Sequence, residues 1–274
     1  MVGYKLKCGL SQDDFDALMQ KAPPFNILVA RDCEGIELID ALAARSGIWY
    51  LDLSKTGVDD LTALSHLKNL QFLDISDTEV NDLSPLRGLT KLKIFRAFDC
   101  PLEDISPLAG LDDLVAVSIS GLKITDISAL KYKKALEYLS VNNTDVSDIS
   151  PLVGSTKLRT LWLVKSPVSN ISSLSELVSL EELNLSQTDV CDISPLANLK
   201  KLVYLNLSWT KITDVTPLAR LTNLSYLNLN GCMVYDIKPL ANLKNLRVLK
   251  LGTPASDRDV EWLKKQLPTC RIEH

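Results

Sequence analysis

Hydrophobic residues recur along this chain on two superposed periods. Over short stretches they alternate with polar ones, as in Leu73 and Ile75, Leu139 and Val141, Leu161 and Leu163, Leu183 and Leu185, Leu205 and Leu207, and Leu227 and Leu229. Alternation at period 2 predicts strands with one buried face. The whole pattern then returns every 22 residues without a gap over positions 49–246, nine rows in all, with 48 residues before and 28 after. Two of the rows are QFLDISDTEVNDLSPLRGLTKL (71–92) and VYLNLSWTKITDVTPLARLTNL (203–224). A short strand repeated at this period predicts a coil of stacked units that share one continuous core.

The other columns of the stack carry their own physical meaning. Thr56, Thr78, Cys100, Thr144, Ser166, Thr188, Thr210 and Cys232 are small groups able to hydrogen-bond, where the chain turns inward and leaves backbone groups in need of partners. Leu122 breaks that column. Val80, Leu102, Ile124, Val146, Val168, Val190, Ile212 and Val234 then plug the core. After them comes an acidic column of Asp60, Asp82, Asp104, Asp126, Asp148, Asp192, Asp214 and Asp236, with Asn170 as its one substitution. Asp followed by Ile-Ser-Pro-Leu reads as an N-cap opening a proline-initiated helical turn, with proline at Pro85, Pro107, Pro151, Pro195, Pro217 and Pro239. Few residues remain to return the chain to the next strand, so a short 3₁₀ segment is expected there.

A coil of repeats must close its core at both ends. Positions 1–48 are expected to form an N-terminal helical cap. Ser11-Gln12-Asp13-Asp14 opens a helix carrying Phe15, Leu18, Met19 and Ala22, and a second helix is expected over 34–45. Between them, 26–30 (NILVA) resembles a degenerate strand 22 residues before the first regular one. Positions 247–274 supply one more strand, at Leu249-Lys250-Leu251, and a capping helix that starts at Asp257, carries Val260, Trp262, Leu263 and Leu267, and ends at Pro268.

The consensus LxxLxLxxTxVxDISPLxxL resembles the leucine-rich repeats, specifically the 22-residue kind of the bacterial internalins, over all nine rows. The resemblance implies an α/β leucine-rich-repeat solenoid: a curved parallel sheet on the concave face, short 3₁₀ or helical turns on the convex face, and helical caps at both ends. Threonine stands where that family often places asparagine. The immunoglobulin-like domain that usually follows the repeats in internalins has no counterpart in this sequence. The phosphatase-regulating repeat proteins of eukaryotes share the 22-residue period and are a second, weaker resemblance.

Composition narrows the function. The 274 residues are 46% hydrophobic and carry 30 Lys and Arg against 34 Asp and Glu, a formal net charge of −4. A mildly acidic chain is a poor partner for nucleic acid, and no apolar run reaches the length of a membrane span. Only His66 and His274 offer imidazoles, and no phosphate loop, zinc-protease or serine-hydrolase signature is found. Neither catalysis, nor a cofactor, nor a metal is expected. Of the cysteines Cys8, Cys33, Cys100, Cys191, Cys232 and Cys270, no two form a C-x-x-C pair. Cys100 and Cys232 sit six repeats apart, roughly 29 Å at the spacing of paired strands, so they read as buried thiols of a reducing compartment. With no secretory leader in view, a cytoplasmic location is expected, with delivery as a secreted effector as the alternative.

Side chains that point outward from the strands are free of core duty. One outward column reads Tyr50, Phe72, Ile94, Ala116, Tyr138, Thr160, Glu182, Tyr204, Tyr226, and the next reads Asp52, Asp74, Arg96, Ser118, Ser140, Trp162, Asn184, Asn206, Asn228. Of the chain's 16 aromatic residues, eight fall on or beside these columns: Tyr50, Phe72, Phe98, Tyr138, Trp162, Tyr204, Trp209 and Tyr226. They are either anchors for a partner or rings that pack on one another across the sheet. Asp52, Asp74, Asp77 and Asp99 crowd toward the first repeats, as solvated surface or as an invitation to a basic partner or a cation. The Asn184, Asn206, Asn228 ladder bonds along the stack or reaches a ligand. Lys131, Lys133 and Lys134 read as a basic spot, and Lys133 and Ser155 replace core leucines. The expected function is a monomeric protein-protein interaction module that binds a protein partner through its aromatic concave face. The alternative is a regulatory subunit or delivered effector that modulates a partner enzyme.

Overall fold

A computed structural model describes residues 3–5, 26–33, 42 and 45–274. The chain forms two compact units, divided after Leu136. In the first, β1 (Gly3–Lys5), β2 (Ile27–Val29), β3 (Tyr50–Asp52), β4 (Phe72–Asp74), β5 (Ile94–Arg96) and β6 (Ala116–Ser118) pair in sequence order, all parallel. In the second, β7 (Tyr138–Ser140), β8 (Thr160–Trp162), β9 (Glu182–Asn184), β10 (Tyr204–Asn206), β11 (Tyr226–Asn228), β12 (Val248–Lys250) and β13 (Arg271–Glu273) do the same. Both units are the leucine-rich-repeat coil that the 22-residue period implies. Each return segment between β3 and β12 carries a short 3₁₀ turn, from Thr62–His66 to Lys238–Asn242.

Inward residues build the core as ladders. Leu51, Leu73, Phe95 and Val117 in the first unit, and Leu139, Leu161, Leu183, Leu205, Leu227 and Leu249 in the second, are fully buried. Full burial of such a side chain contributes about 1.5–3 kcal/mol. Three residues past the end of each strand from β2 to β11 the chain turns left-handed: at Asp32, Lys55, Asp77, Asp99 and Gly121, then Asn143, Lys165, Gln187, Trp209 and Gly231, with φ between 53° and 75°. The N–H at this position donates to the next repeat, as Lys55 does to Ser76 O at 2.8 Å and Lys165 to Ser186 O at 3.0 Å. The ladder of backbone bonds therefore outlasts the three-residue strand.

The turn column satisfies the carbonyls exposed by that turn. Thr56, Thr78, Thr188 and Thr210 donate to Leu53 O, Ile75 O, Leu185 O and Leu207 O at 2.6–2.7 Å. Cys100, Ser166 and Cys232 instead donate back to the preceding repeat, at Ile75 O, Val141 O and Leu207 O. Burial pushes the Cys100 thiol up, so it stays protonated and able to donate.

The acidic column does not cap the 3₁₀ turns as expected. The residue at the cap position is the hydrophobic one that follows, such as Leu83 or Ile105, with no side-chain cap bond. The carboxylate reaches two residues along instead, as Asp82 does to Ser84 N at 2.7 Å and Oγ at 2.6 Å, closing an Asx turn. Asn170 does the same to Ser172 N at 2.9 Å.

The ends depart from the regular repeat. β2 pairs with β3 at an offset of 23 residues (27 to 50), one more than expected, and β13 pairs with β12 at the same offset (248 to 271). β1 and β13 are strands that the periodicity did not predict. Helix α1 (Asp257–Gln266) is N-capped by Ser256, whose Oγ accepts from Asp259 N at 3.1 Å. Its buried residues are Val260 and Leu263, while Trp262, assigned to that face from the sequence, is exposed. The helix expected over 11–22 lies outside the described residues, as does that over 34–45 apart from Leu42 and Arg45.

The two core interruptions resolve differently. Lys133 buries its stem where other repeats place leucine, and its ammonium donates to Ala109 O and to Asp112 Oδ1, the latter at 3.1 Å. It is thereby removed from the expected basic surface spot. Ser155 is fully buried, and its hydroxyl has no hydrogen-bond partner among the described residues.

Four stability outcomes are expected. In urea denaturation Leu183→Ala costs about 2–5 kcal/mol through the cavity it leaves. Thr188→Val costs about 1–3 kcal/mol by orphaning Leu185 O, whereas Ser155→Ala raises stability by about 1 kcal/mol. The carboxyls of Asp60, Asp82 and Asp214 titrate below their ordinary value because a hydroxyl and then a backbone N–H donate to the charged form. At Asp104 and Asp192 the backbone bond is the larger cause. Their contribution to stability is complete above the ordinary carboxylate pKa of 3.8 and is lost as pH falls through the depressed native values. Melting temperature is expected to drop below about pH 4, and less steeply in an Asp82→Asn, Asp104→Asn double variant.

Candidate functional site

Strand alternation fixes which side chains leave the core. In the first unit register pairs Tyr50 with Phe72 and Asp52 with Asp74. The Tyr50 and Phe72 rings stack at 4.0 Å between centroids and 4° between planes. On Phe72 lies the Arg96 guanidinium, 5.5 Å from the ring centroid and 3.8 Å from Asp74 Oδ2. Phe72 is thereby left 8% exposed. It supports Tyr50 and Arg96 and does not itself present a surface, contrary to the expectation for an anchor. Phe98, one column further out, is exposed. Partial burial, and secondly Asp52, push the Tyr50 hydroxyl up, so the phenol stays a neutral donor.

Half of the acidic crowd on this unit is satisfied from within. Asp52 Oδ1 accepts from Ser54 N at 3.0 Å and from Ser54 Oγ at 2.6 Å. Asp74 is buried, accepts from Ser76 N at 3.0 Å and faces Arg96. Two of the four carboxylates thus need no external cation. Asp77 and Asp99, in the left-handed turns, remain exposed.

On the second unit the rings gather in two pairs. Tyr138 and Trp162 meet edge to face at 5.9 Å and 67°. The Trp162 Nε1 donor is buried and has no acceptor among the described residues. Tyr204 and Tyr226, directly opposite in register, stack at 4.6 Å and 7°. Burial, and then Tyr226, push the Tyr204 hydroxyl up. The asparagine ladder beside them is committed locally: Asn184, Asn206 and Asn228 each accept at Oδ1 from the backbone N–H two residues on, at 3.0–3.1 Å. Each repeat's amide closes its own turn, so the ladder is not a row of free acceptors.

Trp209 lies apart from these. It occupies the left-handed turn at the end of the strand face and is 66% exposed. The eight rings singled out from sequence therefore divide: six half-buried or exposed beside the strands, one buried beneath a neighbour, one at the turn edge. Sequence reasoning passed over the exposed Met233, Tyr235 and Tyr132. Met233 and Tyr235 were legible, because they alternate with the inward Cys232 and Val234. Tyr132 sits in a left-handed turn outside the repeat alternation, with Lys131 Nζ 4.8 Å from its ring centroid.

Among the described residues no group of three or more His, Cys, Asp or Glu is placed to hold a metal ion. No described helix is long and apolar enough to cross a membrane. His66 is exposed at the end of its 3₁₀ turn.

No protein-family model and no curated protein sequence matches the chain. Solved structures do. The internalin InlF of Listeria monocytogenes superposes with a TM-score of 0.81 at 24% identity, over 98% of this chain and 84% of that one. Internalin C2 of the same organism is 33% identical over 76% of this chain and 82% of its own, with a TM-score of 0.58. The leucine-rich-repeat ectodomain of an Arabidopsis thaliana receptor kinase, solved in complex with Casparian strip integrity factor 2, superposes at 0.73 with 18% identity, over 91% of this chain and 31% of the receptor chain.

Proposed function

This chain belongs to the leucine-rich-repeat proteins of the internalin class, and on that footing we propose that it binds a protein partner through the outward face of its strands. Such neighbours are in general interaction modules, and the outward face here has the chemistry of one. Tyr50 and Phe98 on the first unit, and Tyr138, Trp162, Tyr204 and Tyr226 on the second, are the anchors, with Phe72 holding Tyr50 from behind. The observation that carries the reading is the Tyr204–Tyr226 stack: two rings on the side of the sheet away from the core, half-buried only by each other and their neighbours. Tyrosine and tryptophan supply large, stiff contact area at low entropic cost, which is why they dominate interface energetics.

The thiols of Cys100 and Cys232 donate to core carbonyls. That role requires them reduced and supports a reducing compartment. The Asp52, Asp74, Asn184, Asn206 and Asn228 side chains beside the rings already spend an oxygen on their own backbone, which supports recognition over catalysis in this reading.

Trp162→Ala and Tyr204→Ala are each expected to weaken partner binding by about 2 kcal/mol, roughly 30-fold, while shifting the melting temperature little. Val178→Ala, on the exposed return segment, is the control. Isothermal titration against the partner recovered by affinity capture reads the effect, and unchanged affinity in both variants would dismiss the anchors.

A further inference from the structure

Trp209 is the one large apolar residue in the left-handed column, where every other described occupant is charged, an amide or glycine. An L side chain in this conformation costs about 1–2 kcal/mol. The ring is 66% exposed, so burial does not repay that strain. Its backbone N–H is tied to Asn230 O at 2.7 Å, which holds the conformation and aims the side chain. Gly231 lies against the indole: a Cβ there would come within 2.6 Å of the ring atoms Cδ2 and Cε3. One side of the ring is therefore braced by backbone.

The ring ends a groove of about 550 Å³ that crosses the turns of the preceding repeats within the second unit. Asp145, Lys165, Gln187, Asp189 and Lys211 line it with Trp209. Asp189 and Lys211 pair at 2.5 Å. The Asp145 carboxylate, the Lys165 ammonium and the Gln187 amide make no bond to other described residues. Two acids and two bases balance, so the groove exerts no net pull on a phosphate, a nucleic acid or a polybasic chain.

We propose that this groove is a binding site for a neutral oligosaccharide, separate from the outward strand face and independent of it. A sugar ring carries a face of C–H bonds with slight positive charge, which suits the negative face of an indole. Its hydroxyls both donate and accept, matching an ammonium, an amide and a carboxylate set side by side. Trp209 stacks on one sugar ring, while Gln187, Asp145 and Lys165 bond the hydroxyls of that ring and its neighbour. An aliphatic ligand or amphipathic helix would need a continuous apolar strip, whereas here Trp209 and Pro167 are interspersed with Lys165, Gln187, Asp189 and Lys211. A proline-rich segment would also stack on the indole, but such grooves grip it between several aromatic residues, and Trp209 has no aromatic neighbour in the lining.

The four indole N–H signals of the ¹⁵N-labelled protein, assigned with single Trp→Phe variants, read the site directly. Cellotriose, chitotriose and mannotriose are titrated to about 10 mM, alongside octaproline. At least one sugar is expected to shift the Trp209 signal and leave that of Trp49 unmoved. Trp209→Ala, followed through the Gln187 side-chain amide signal, and Gln187→Ala should each weaken that sugar about tenfold or more, with Trp209→Phe intermediate and melting temperatures unchanged. The proposal is overturned if no sugar moves the Trp209 signal, if Gln187→Ala leaves sugar binding intact, or if octaproline alone binds. None of these outcomes bears on the strand-face anchors, which the Trp162→Ala titration tests separately.

Discussion

A parallel strand of three residues has no stability of its own; it exists because the next repeat offers the same backbone groups at the same height. That mutual dependence is the constraint from which everything else follows. The bonds from Lys55 N to Ser76 O and from Trp209 N to Asn230 O extend each rung past the strand, and the left-handed turn makes those bonds possible. The turn in its own right would strand a carbonyl, which the hydroxyls of Thr56, Thr78, Thr188 and Thr210 recover. A slip of one residue would turn every core leucine outward, so the 22-residue spacing is enforced at each step.

The same rung spacing explains the outward face. Paired strands lie about 4.8 Å apart, close to the distance at which aromatic rings stack. Tyr50 with Phe72 and Tyr204 with Tyr226 use that coincidence, as successive members of one column. Of the alternatives left open for the aromatics, the structure displays cross-strand packing: these rings stack on one another, and the stacking makes them rigid. Asx turns do the corresponding work for the polar column, where Asp52, Asp74, Asn184, Asn206 and Asn228 spend an oxygen on their own backbone. The outward face thus combines stiff aromatic area with polar neighbours already committed to their own backbone.

Legibility followed the repeat. The regular strands, the leucine ladders, the hydroxyl column and the 3₁₀ turns were readable because nine superposed rows average away the noise of any one. Where the repeat ends, so did the reading: β1 and β13 pair at offsets longer than 22 residues and carry no periodic signal. The acidic column was recognised as turn-forming, but its bond goes two residues along and not to the assigned cap, a difference of geometry invisible in composition.

Sequence by itself determined the period, the inward residues and the list of side chains excluded from the core, because each depends only on spacing along one chain. Which excluded side chains are open was decided by neighbours one rung away. Phe72 is covered by Tyr50 and Arg96, Lys133 is drawn inward to Ala109 O and Asp112, and Trp209 is lifted onto Gly231. Burial is a property of what lies across the rung, and only the folded stack brings those residues together.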